Sequence, residues 1–329
     1  MTSQVPIGGR AEMLAQNGRL PEALSLLHDA SARNDSDACF CLALWHLAGR
    51  FVPRDLIRTR SYLRLARELG DSDAASMEIA LTANGAGAPA DWPGALRLLR
   101  TAAQRSPAAA AELKLVEDMR LADDGTPTSL PAAETLVPDG AVIRFQGLLT
   151  GVECEQVARA AVGWLEPAVV VDPQTGQQVR HPHRSSDGAV LGPTRETLPI
   201  RAINQRIAAI SDTDVEQGEA LIVLRYAPGQ EFRPHLDALP NTRNQRTMTA
   251  LVYLNDLLKG GETRFPAYGL DIKPRAGDAI LFRNTLPDGS PDPRAIHAGA
   301  RVTEGVKWLA TRWIRARSFD VWSGPESAV

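Results

Sequence analysis

The first third of the chain repeats itself with a period of 36 residues. The segment DACFCLALWHLAGRFVPRDLIRTRSYLRLARELG, which starts at Asp37, aligns with DAASMEIALTANGAGAPADWPGALRLLRTAAQRS, which starts at Asp73. Alanine and leucine recur at helical spacing within both copies, and glycine and proline separate the apolar stretches. The period therefore predicts pairs of helices. The matching positions are Asp37 with Asp73, Gly49 with Gly85, Pro53 with Pro89, Asp55 with Asp91, Leu63 with Leu99, and Ala66 with Ala102.

A further copy of the second helix lies upstream, where PEALSLLHDA from Pro21 matches PGALRLLRTA from Pro93. Helix-pair repeats bury their apolar faces only by stacking on their neighbours. About three pairs and a terminal helix, PAAAAELKLVEDMRL from Pro107, predict a short α-solenoid over residues 1–121. The repeats resemble Sel-one-like and tetratricopeptide repeats, a resemblance that implies a surface for peptides or proteins.

The pattern of residue types changes after residue 121. Residues 122–138, ADDGTPTSLPAAETLVP, are polar with three prolines and are predicted to be a linker. Residues 139–329 carry short runs rich in β-branched residues, such as ALIVLRY, TMTALVYL, DAILF and VKWLATRWI. Helices from Gly151 and Leu198 are expected to pack against the resulting antiparallel sheet. The predicted fold class is α+β, with a helical domain followed by a β domain.

Composition excludes several classes of protein. A formal net charge of −3 and a pI near 6.1 argue against a nucleic-acid-binding protein. Three cysteines, Cys39, Cys41 and Cys154, do not suggest a disulfide framework. The N-terminal residues lack the apolar core of a signal peptide, and no long apolar run predicts a membrane span. We therefore expect a cytoplasmic protein that binds neither nucleic acid nor membrane.

The stretch RYAPGQEFRPHLDALP places His235 and Asp237 two residues apart. In an extended segment such residues project to the same side, so both can offer ligand atoms to one ion. A second histidine, His297, follows in AIHAGARV. Two imidazoles and one carboxylate with open positions suit a non-haem Fe(II) oxygenase. A lone His-x-Asp pair is more often part of a surface loop or a satisfied hydrogen bond, since nothing in its spacing is unique to metal sites.

A competing histidine pair is present in VRHPHRSS, where His181 and His183 flank a proline. This pair could imitate a metal site. The intervening proline and the polar, charged surroundings instead favour a loop.

Five segments carry a resemblance to a known family: LRYAPGQEFRPHLD, RTMTALVYLND, GGETRFP, GDAILFRN and AIHAGARVTEGVKWLATRWIR. Their order and spacing resemble those of the prolyl 4-hydroxylase family of Fe(II)/2-oxoglutarate dioxygenases, from about Val142 to Arg317. The resemblance implies a double-stranded β-helix, or jelly roll. It also implies that His235, Asp237 and His297 are the iron ligands.

Further site residues follow from the same resemblance. Lys307 matches the basic residue that pairs with the distal carboxylate of 2-oxoglutarate. Tyr226, Thr249 and Tyr253 match hydroxyl groups around that cosubstrate, and Thr249 and Tyr253 alternate onto one face of a strand. In relatives, the region equivalent to Arg184 lines the substrate or closes over it. Arg246 matches an arginine associated with substrate, although strict alternation turns it away from Tyr253, so its role depends on where the strand begins. Trp308, next to Lys307, is expected on the opposite face, in the core or at the substrate rim.

The activity implied by the resemblance is hydroxylation of a prolyl residue in a peptide or protein, with succinate and CO2 as co-products. Its cofactors are Fe(II), 2-oxoglutarate and O2, with ascorbate as a possible requirement for turnover. One alternative is hydroxylation of a free amino acid or a biosynthetic small molecule. Another is an inactive oxygenase fold that only binds. The repeats would hold the substrate or dock a separate partner.

Overall fold

The computed structural model describes residues 5–171, 178–180, 183–256 and 259–327. The chain divides into two compact units. The first covers the described residues up to Met119, together with Asp123–Gly125 and Pro193–Arg201. The second comprises Arg120–Ala122, Thr126–Gly192 and the residues from Ala202 onward.

The first unit is built from consecutive helices, each packed against the next in the chain. Helices α3 and α5 begin 36 residues apart, as do α4 and α6, so the sequence period is the structural period. The helical-repeat organisation predicted for this region is confirmed. The helices are α1 (Ile7–Gln16), α2 (Leu20–Ser31), α3 (Ser36–Ala48), α4 (Leu56–Glu68), α5 (Ser72–Asn84), α6 (Trp92–Ala103) and α7 (Pro107–Asp118).

Repeated capping residues set the helix ends. At the N-caps of α3, α4, α5 and α6, an aspartate side chain accepts a hydrogen bond from a backbone N–H of the first turn, which satisfies one of the donors left free there. Gly49 and Gly85 end α3 and α5 with φ angles of 66° and 79°, a left-handed conformation that suits glycine. The N-cap aspartates are Asp35, Asp55, Asp71 and Asp91.

The interior of this unit is made of small and branched aliphatic side chains. Alanines such as Ala23 and Ala38 are fully buried and let neighbouring helices approach closely, while Leu27 and Leu42 fill the space between them. Trp45 packs on the same cluster and contacts the ring of Phe51 at 4.6 Å between centroids.

Replacing Asp71 with alanine is expected to lower the free energy of unfolding of the helical unit by about 1 kcal/mol, because the N–H of Ala74 loses its 2.8 Å acceptor. Asp71→Asn keeps an acceptor and is expected to remain near wild type. Urea denaturation followed by circular dichroism at 222 nm measures both. Equal destabilisation by the two substitutions would contradict the capping role.

The second unit contains antiparallel strands, α8 (Gly151–Val162) and, from Ala202 onward, α9 (Leu198–Ser211); both helices are at the positions predicted. The large sheet has eight strands in the order β1-β2-β13-β9-β16-β7-β6-β3, and a smaller sheet has the order β12-β11-β14-β8. Two short pairs, β4 with β5 and β10 with β15, complete the described strands. The strands are β1 (Ala133–Thr135), β2 (Val142–Phe145), β3 (Glu166–Pro167), β4 (Val169–Val171), β5 (Gln178–Arg180), β6 (Asp187–Leu191), β7 (Leu221–Tyr226), β8 (Phe232–His235), β9 (Arg246–Tyr253), β10 (Lys259–Gly260), β11 (Thr263–Phe265), β12 (Leu270–Ile272), β13 (Ala279–Arg283), β14 (His297–Gly299), β15 (Val302–Glu304) and β16 (Lys307–Arg315).

Side chains from both sheets meet in one core. Phe265 of the small sheet and Phe282 of the large sheet are buried and contact edge to face at 5.0 Å between ring centroids. Ile280, Leu251 and Leu309 from the central strands of the large sheet join the same cluster. The predicted fold class, helical repeats followed by a double-stranded β-helix, is confirmed.

The segment predicted as a linker has local structure of its own. Within residues 122–138, β1 pairs with β2 at the edge of the large sheet. The boundaries at residues 121 and 139 stay a prediction. Over the described ranges, no helix combines the length and the apolar character needed to cross a lipid bilayer.

Candidate active site

The pairing of β14 with β8 brings His297 directly opposite His235. Asp237 lies two residues beyond His235, just after β8. The Nε2 atom of His235 lies 3.6 Å from Oδ1 of Asp237, and the Nε2 atom of His297 lies 3.7 Å from Oδ2. One ligand atom from each of the three residues lies within 4.8 Å of the others, which is close enough to hold one metal ion.

Backbone carbonyls fix the orientation of both imidazole rings. Nδ1 of His235 lies 2.8 Å from the carbonyl oxygen of Arg233, and Nδ1 of His297 lies 3.1 Å from that of Ala295. A carbonyl can only accept, so in each ring Nδ1 carries the proton and donates it. The Nε2 lone pairs are left facing Asp237. This is the tautomer that a metal-binding histidine needs.

The charge states of these groups suit a divalent cation. Burial, followed by the neighbouring His297, lowers the pKa of the His235 imidazolium, which favours the neutral ring. Burial acts to raise the pKa of Asp237, but the two histidines and a hydrogen bond from Thr249 outweigh it and lower the pKa. Two neutral imidazoles and one carboxylate, with other positions open, form the donor set of non-haem Fe(II) oxygenases. The residues present therefore fit that metal.

Aromatic rings hold the two histidines in place. Phe232 stacks on His235 with 3.5 Å between ring centroids. Phe282 lies against His297 at 4.6 Å, edge to face, and Phe265 lies at 5.7 Å. Both of these phenylalanines are buried. The donor set is therefore built on packed strands with little freedom to rearrange.

Lys307, at the start of β16, is a buried cation in the same cavity, with a relative exposure of 2%. Its Nζ donates a 2.7 Å hydrogen bond to the carbonyl oxygen of Gly261 and lies 5.4 Å and 5.8 Å from the ring centroids of Tyr253 and Tyr226. Burial lowers the pKa of Lys307 to about 7, although Glu262 acts to raise it. A carboxylate ligand would restore the charged form.

One cavity joins the candidate metal ligands His235, Asp237 and His297 to this lysine, and its volume is about 420 Å³ with the open mouth included. Strand β16 forms one wall, because alternate residues from Lys307 onward face inward. Its lining residues are Arg184, Leu224, Tyr226, Phe232, His235, Asp237, Leu251, Thr263, His297, Ala298, Gly299, Lys307, Leu309, Thr311 and Trp313.

Thr249 has a partner other than the one that the family resemblance implies. Its hydroxyl donates a 2.7 Å hydrogen bond to Oδ2 of Asp237, and it is not among the residues that line the cavity. Tyr253 is fully buried beside Lys307, and its hydroxyl donates to Oγ1 of Thr263 at 2.7 Å. The Thr263 side chain, which the sequence analysis did not single out, lines the cavity.

Of the residues predicted to lie near the substrate, Arg184 is on the cavity wall, with its guanidinium carbon 5.6 Å from the Phe232 ring centroid. Arg246 forms a bidentate salt bridge with Glu219 at 2.7 Å and 2.8 Å. Its guanidinium also stacks 3.8 Å from the ring centroid of Trp313, which lines the cavity. Arg246 therefore packs against Trp313 and stabilises the part of the cavity wall that this tryptophan forms.

Trp308 alternates away from Lys307 and is not a lining residue, in agreement with its expected orientation. Its backbone N–H donates to Oδ1 of Asn255. In the competing histidine pair, His183 is exposed and its carbonyl accepts from the N–H of Arg233. His181 lies outside the described residues.

Sequence reasoning missed five residues at this site: Phe232, Thr263, Thr311 and Trp313, which line the cavity, and Asn284, which donates a hydrogen bond to Thr249. Phe232 precedes His235 by three residues, a spacing that does not predict stacking. The period-2 alternation of β16 was available as a signal for Thr311 and Trp313, once Lys307 was placed inward. Nothing in the sequence distinguishes Asn284 from a residue of an ordinary turn.

Comparisons with known proteins agree with this geometry. A family model described as the 2OG-Fe(II) oxygenase superfamily matches residues 221–315. Prolyl 4-hydroxylase 1 of Arabidopsis thaliana is 39% identical over 196 residues, which cover 54% of this chain and 69% of the relative. Probable prolyl 4-hydroxylase 10 of the same plant is 37% identical over 201 residues, with coverages of 54% and 69%.

Solved structures give two further likenesses. The viral collagen prolyl hydroxylase of Paramecium Bursaria Chlorella virus-1, in its 2OG complex, is 28% identical with a TM-score of 0.45, and the match covers 55% of this chain and 99% of that one. A Sel1 repeat protein from Oxalobacter formigenes is 20% identical with a TM-score of 0.31, and covers 34% of this chain and 48% of that one. Because the two Arabidopsis relatives are 39% and 37% identical and are each covered over 69% of their length, this chain belongs to the prolyl 4-hydroxylase family of 2OG-Fe(II) oxygenases and is a 2-oxoglutarate-dependent dioxygenase.

Proposed function

We propose that this dioxygenase hydroxylates a prolyl residue of a peptide or protein, consuming 2-oxoglutarate and O2 and releasing succinate and CO2. The observation that carries the proposal is that His235, Asp237 and His297 share one cavity with the buried cation of Lys307. An inactive binding scaffold would have no need to keep all four together. The curated relatives named prolyl 4-hydroxylase support the choice of a prolyl substrate.

In this proposal His235, Asp237 and His297 hold Fe(II). When bound, the iron supplies the activation of O2 and the oxidation of a C–H bond. The chain's own contribution is geometric: three protein ligands leave the remaining coordination positions to the cosubstrate and O2. The packed rings of Phe232, Phe265 and Phe282 keep the histidines from shifting when those ligands exchange.

Lys307 anchors the distal carboxylate of 2-oxoglutarate. The ammonium group lies between two tyrosine rings and has a protein carbonyl as its hydrogen-bond acceptor. Charge pairing is strong in such a buried place, because little water competes. Tyr226, whose pKa burial raises to about 12, stays neutral and available as a hydrogen-bond donor. The contacts of Tyr226 and Tyr253 with the cosubstrate remain proposals.

The affinity for 2-oxoglutarate is expected to fall as pH rises above about 7. Lys307 is protonated at pH values well below its pKa of about 7. The anchor is fully charged there, so titration of Lys307 does not make the affinity vary with pH in that range. At higher pH the cosubstrate must recruit a proton to Lys307, which weakens binding by about tenfold per pH unit until the raised pKa of the complex is reached.

Anaerobic calorimetric titration of the Fe(II)-loaded enzyme between pH 6 and 9 measures this dependence. Lys307→Arg keeps its charge over the whole range and is expected to bind with a flatter pH profile. Identical profiles for the wild type and Lys307→Arg would contradict the role of Lys307 as the titrating anchor.

We assign the substrate to the end of the cavity formed by Thr311 and Trp313. The Oγ1 atom of Thr311 and the Nε1 atom of Trp313 are buried without a hydrogen-bond partner in the described structure. Unpaired buried polar groups are costly, so they point to a ligand that satisfies them. The stacked guanidinium of Arg246 keeps the Trp313 ring in place. Arg184, at the cavity wall near Phe232, is a further candidate for a substrate contact.

The choice of substrate is tested by succinate release with paired peptides that differ only in proline or alanine at one position. Proline peptides are expected to stimulate 2-oxoglutarate turnover by about tenfold or more over the alanine peptides, since a positioned C–H bond couples the two reactions. Stimulation by free proline or another free amino acid, with no response to peptides, would favour the small-molecule alternative instead.

Three further predictions belong to the same proposal. The helical repeats hold the peptide or dock a partner, ascorbate supports turnover, and the protein works in the cytoplasm. The three free cysteines of the described chain are consistent with a reducing compartment. Binding of labelled peptides with and without 2-oxoglutarate would show whether the peptide is held independently of turnover.

A further inference from the structure

A buried chain of hydrogen bonds ends on the carboxylate of the candidate metal site. The side-chain amide nitrogen of Asn284 donates to Oγ1 of Thr249 at 2.8 Å, and the Thr249 hydroxyl donates to Oδ2 of Asp237 at 2.7 Å. Asn284 and Thr249 have no exposed surface, and Asp237 is 5% exposed. No water can therefore replace either bond without rearrangement of the packed core.

The donor and acceptor capacities of the three side chains fix the direction of these hydrogen bonds. The Asp237 carboxylate is ionised and can only accept, so the single proton of the Thr249 hydroxyl must point to it. Oγ1 of Thr249 then has only lone pairs left for Asn284, which must present its NH2 group. If the amide were flipped, its oxygen would face a hydroxyl whose proton is already committed. The amide of Asn284 thus sets the rotation of the Thr249 hydroxyl.

The backbone holds both residues rigidly. Thr249 lies in the middle of β9 and pairs with Phe282 of β13. Asn284 follows β13, where its N–H donates to the carbonyl of Thr247 and its own carbonyl accepts from the N–H of Asp292. Asp237 follows β8 of the small sheet. The hydrogen-bond chain therefore ties a residue next to the small sheet to the centre of the large sheet.

We propose that Asn284 and Thr249 are a positioning pair that orients Asp237 for metal binding. The hydrogen bond to Oδ2 draws charge from that oxygen and leaves Oδ1 as the better ligand atom, so that Asp237 binds through one oxygen and the remaining positions stay open to the cosubstrate. This inference rests on the proposed role of Asp237 as a metal ligand. Asn284 acts only through Thr249 and touches no ligand itself.

The test is Co(II) binding to the full-length protein without cosubstrate, followed by the visible absorption of the ion. Thr249→Val is expected to weaken Co(II) affinity by about 10- to 100-fold, the usual effect of losing a partner of a metal ligand. Its spectrum should change, because a free carboxylate can bind through both oxygens. Thr249→Ser keeps the hydroxyl and is expected to restore affinity and spectrum. Thr247→Val, the same substitution two residues away in β9, is the matched control and is expected to bind like wild type.

Asn284→Leu is expected to weaken affinity by several-fold, because the Thr249 hydroxyl is then free to rotate. In the Thr249→Val background the same substitution should have no further effect, since its route to Asp237 is gone. Additive losses would overturn the proposal, as would wild-type affinity and spectrum in Thr249→Val. If Thr249→Val fails to fold, wild-type affinity in Asn284→Leu overturns it equally. A wild type that binds no Co(II) would instead remove the metal site and the proposed function with it.

Discussion

Replacing His297 with alanine is expected to reduce 2-oxoglutarate turnover by about 10³-fold or more, because bound metal contributes several kcal/mol to such reactions and one of three protein ligands is lost. The neighbouring structure should tolerate the change only in part, since Phe265 and Phe282 pack against the removed ring. Succinate release under saturating Fe(II), 2-oxoglutarate and peptide measures the effect.

His183→Ala is the matched control for this prediction. His183 belongs to the same unit but is exposed and lies outside the proposed ligand set. Its removal is expected to leave turnover within about twofold of wild type, as for most surface substitutions. Turnover retained in His297→Ala, or lost equally in His183→Ala, would be incompatible with the proposed ligand set.

The second large effect concerns the cosubstrate anchor. Lys307→Met removes the charge with little change in volume and is expected to raise the dissociation constant of 2-oxoglutarate by roughly 100-fold, because the distal carboxylate is then buried without a partner, at a cost of about 3 kcal/mol. Co(II) affinity in the absence of cosubstrate should not change, since Lys307 contacts none of the metal-site residues in a described hydrogen bond.

Lys259→Met controls for the loss of a positive charge from the same unit. Lys259 is largely exposed and pairs with Glu304 at the surface, so its substitution is expected to leave 2-oxoglutarate affinity unchanged. If Lys307→Met bound 2-oxoglutarate as tightly as wild type, the carboxylate anchor would have to be sought elsewhere in the cavity.

Much of the fold was predictable because its signals are local. The repeat period, the N-cap aspartates and the glycines that end α3 and α5 are properties of short segments, and the structure reproduces them with the same offset. The β-branched runs likewise became β7, β9, β13 and β16. The pairing order of the strands depends on contacts between distant segments, and no local pattern specifies it.

At the candidate site too, local patterns predicted some features, and contacts between distant segments determined the others. The proximity of His235 and Asp237 was predictable from the alternation of an extended segment, although Asp237 lies just after β8, while the position of His297 depends on the register between β8 and β14. Alternation correctly put Thr249 on an inward face, but it cannot say which neighbour the hydroxyl meets, and that neighbour is Asp237. Arg246 was matched to an arginine associated with substrate, but its guanidinium forms a salt bridge with Glu219, a residue 27 positions away in the sequence.

In the proposed site, His235, Asp237 and His297 hold an iron to which 2-oxoglutarate binds. Anaerobic titration of the protein with Fe(II) and 2-oxoglutarate measures this binding, because chelation by the keto acid gives a weak visible charge-transfer band. The band is expected to appear in the wild type and to be absent from His297→Ala. A wild type without the band, or a His297→Ala variant that retains it, would contradict the proposed site.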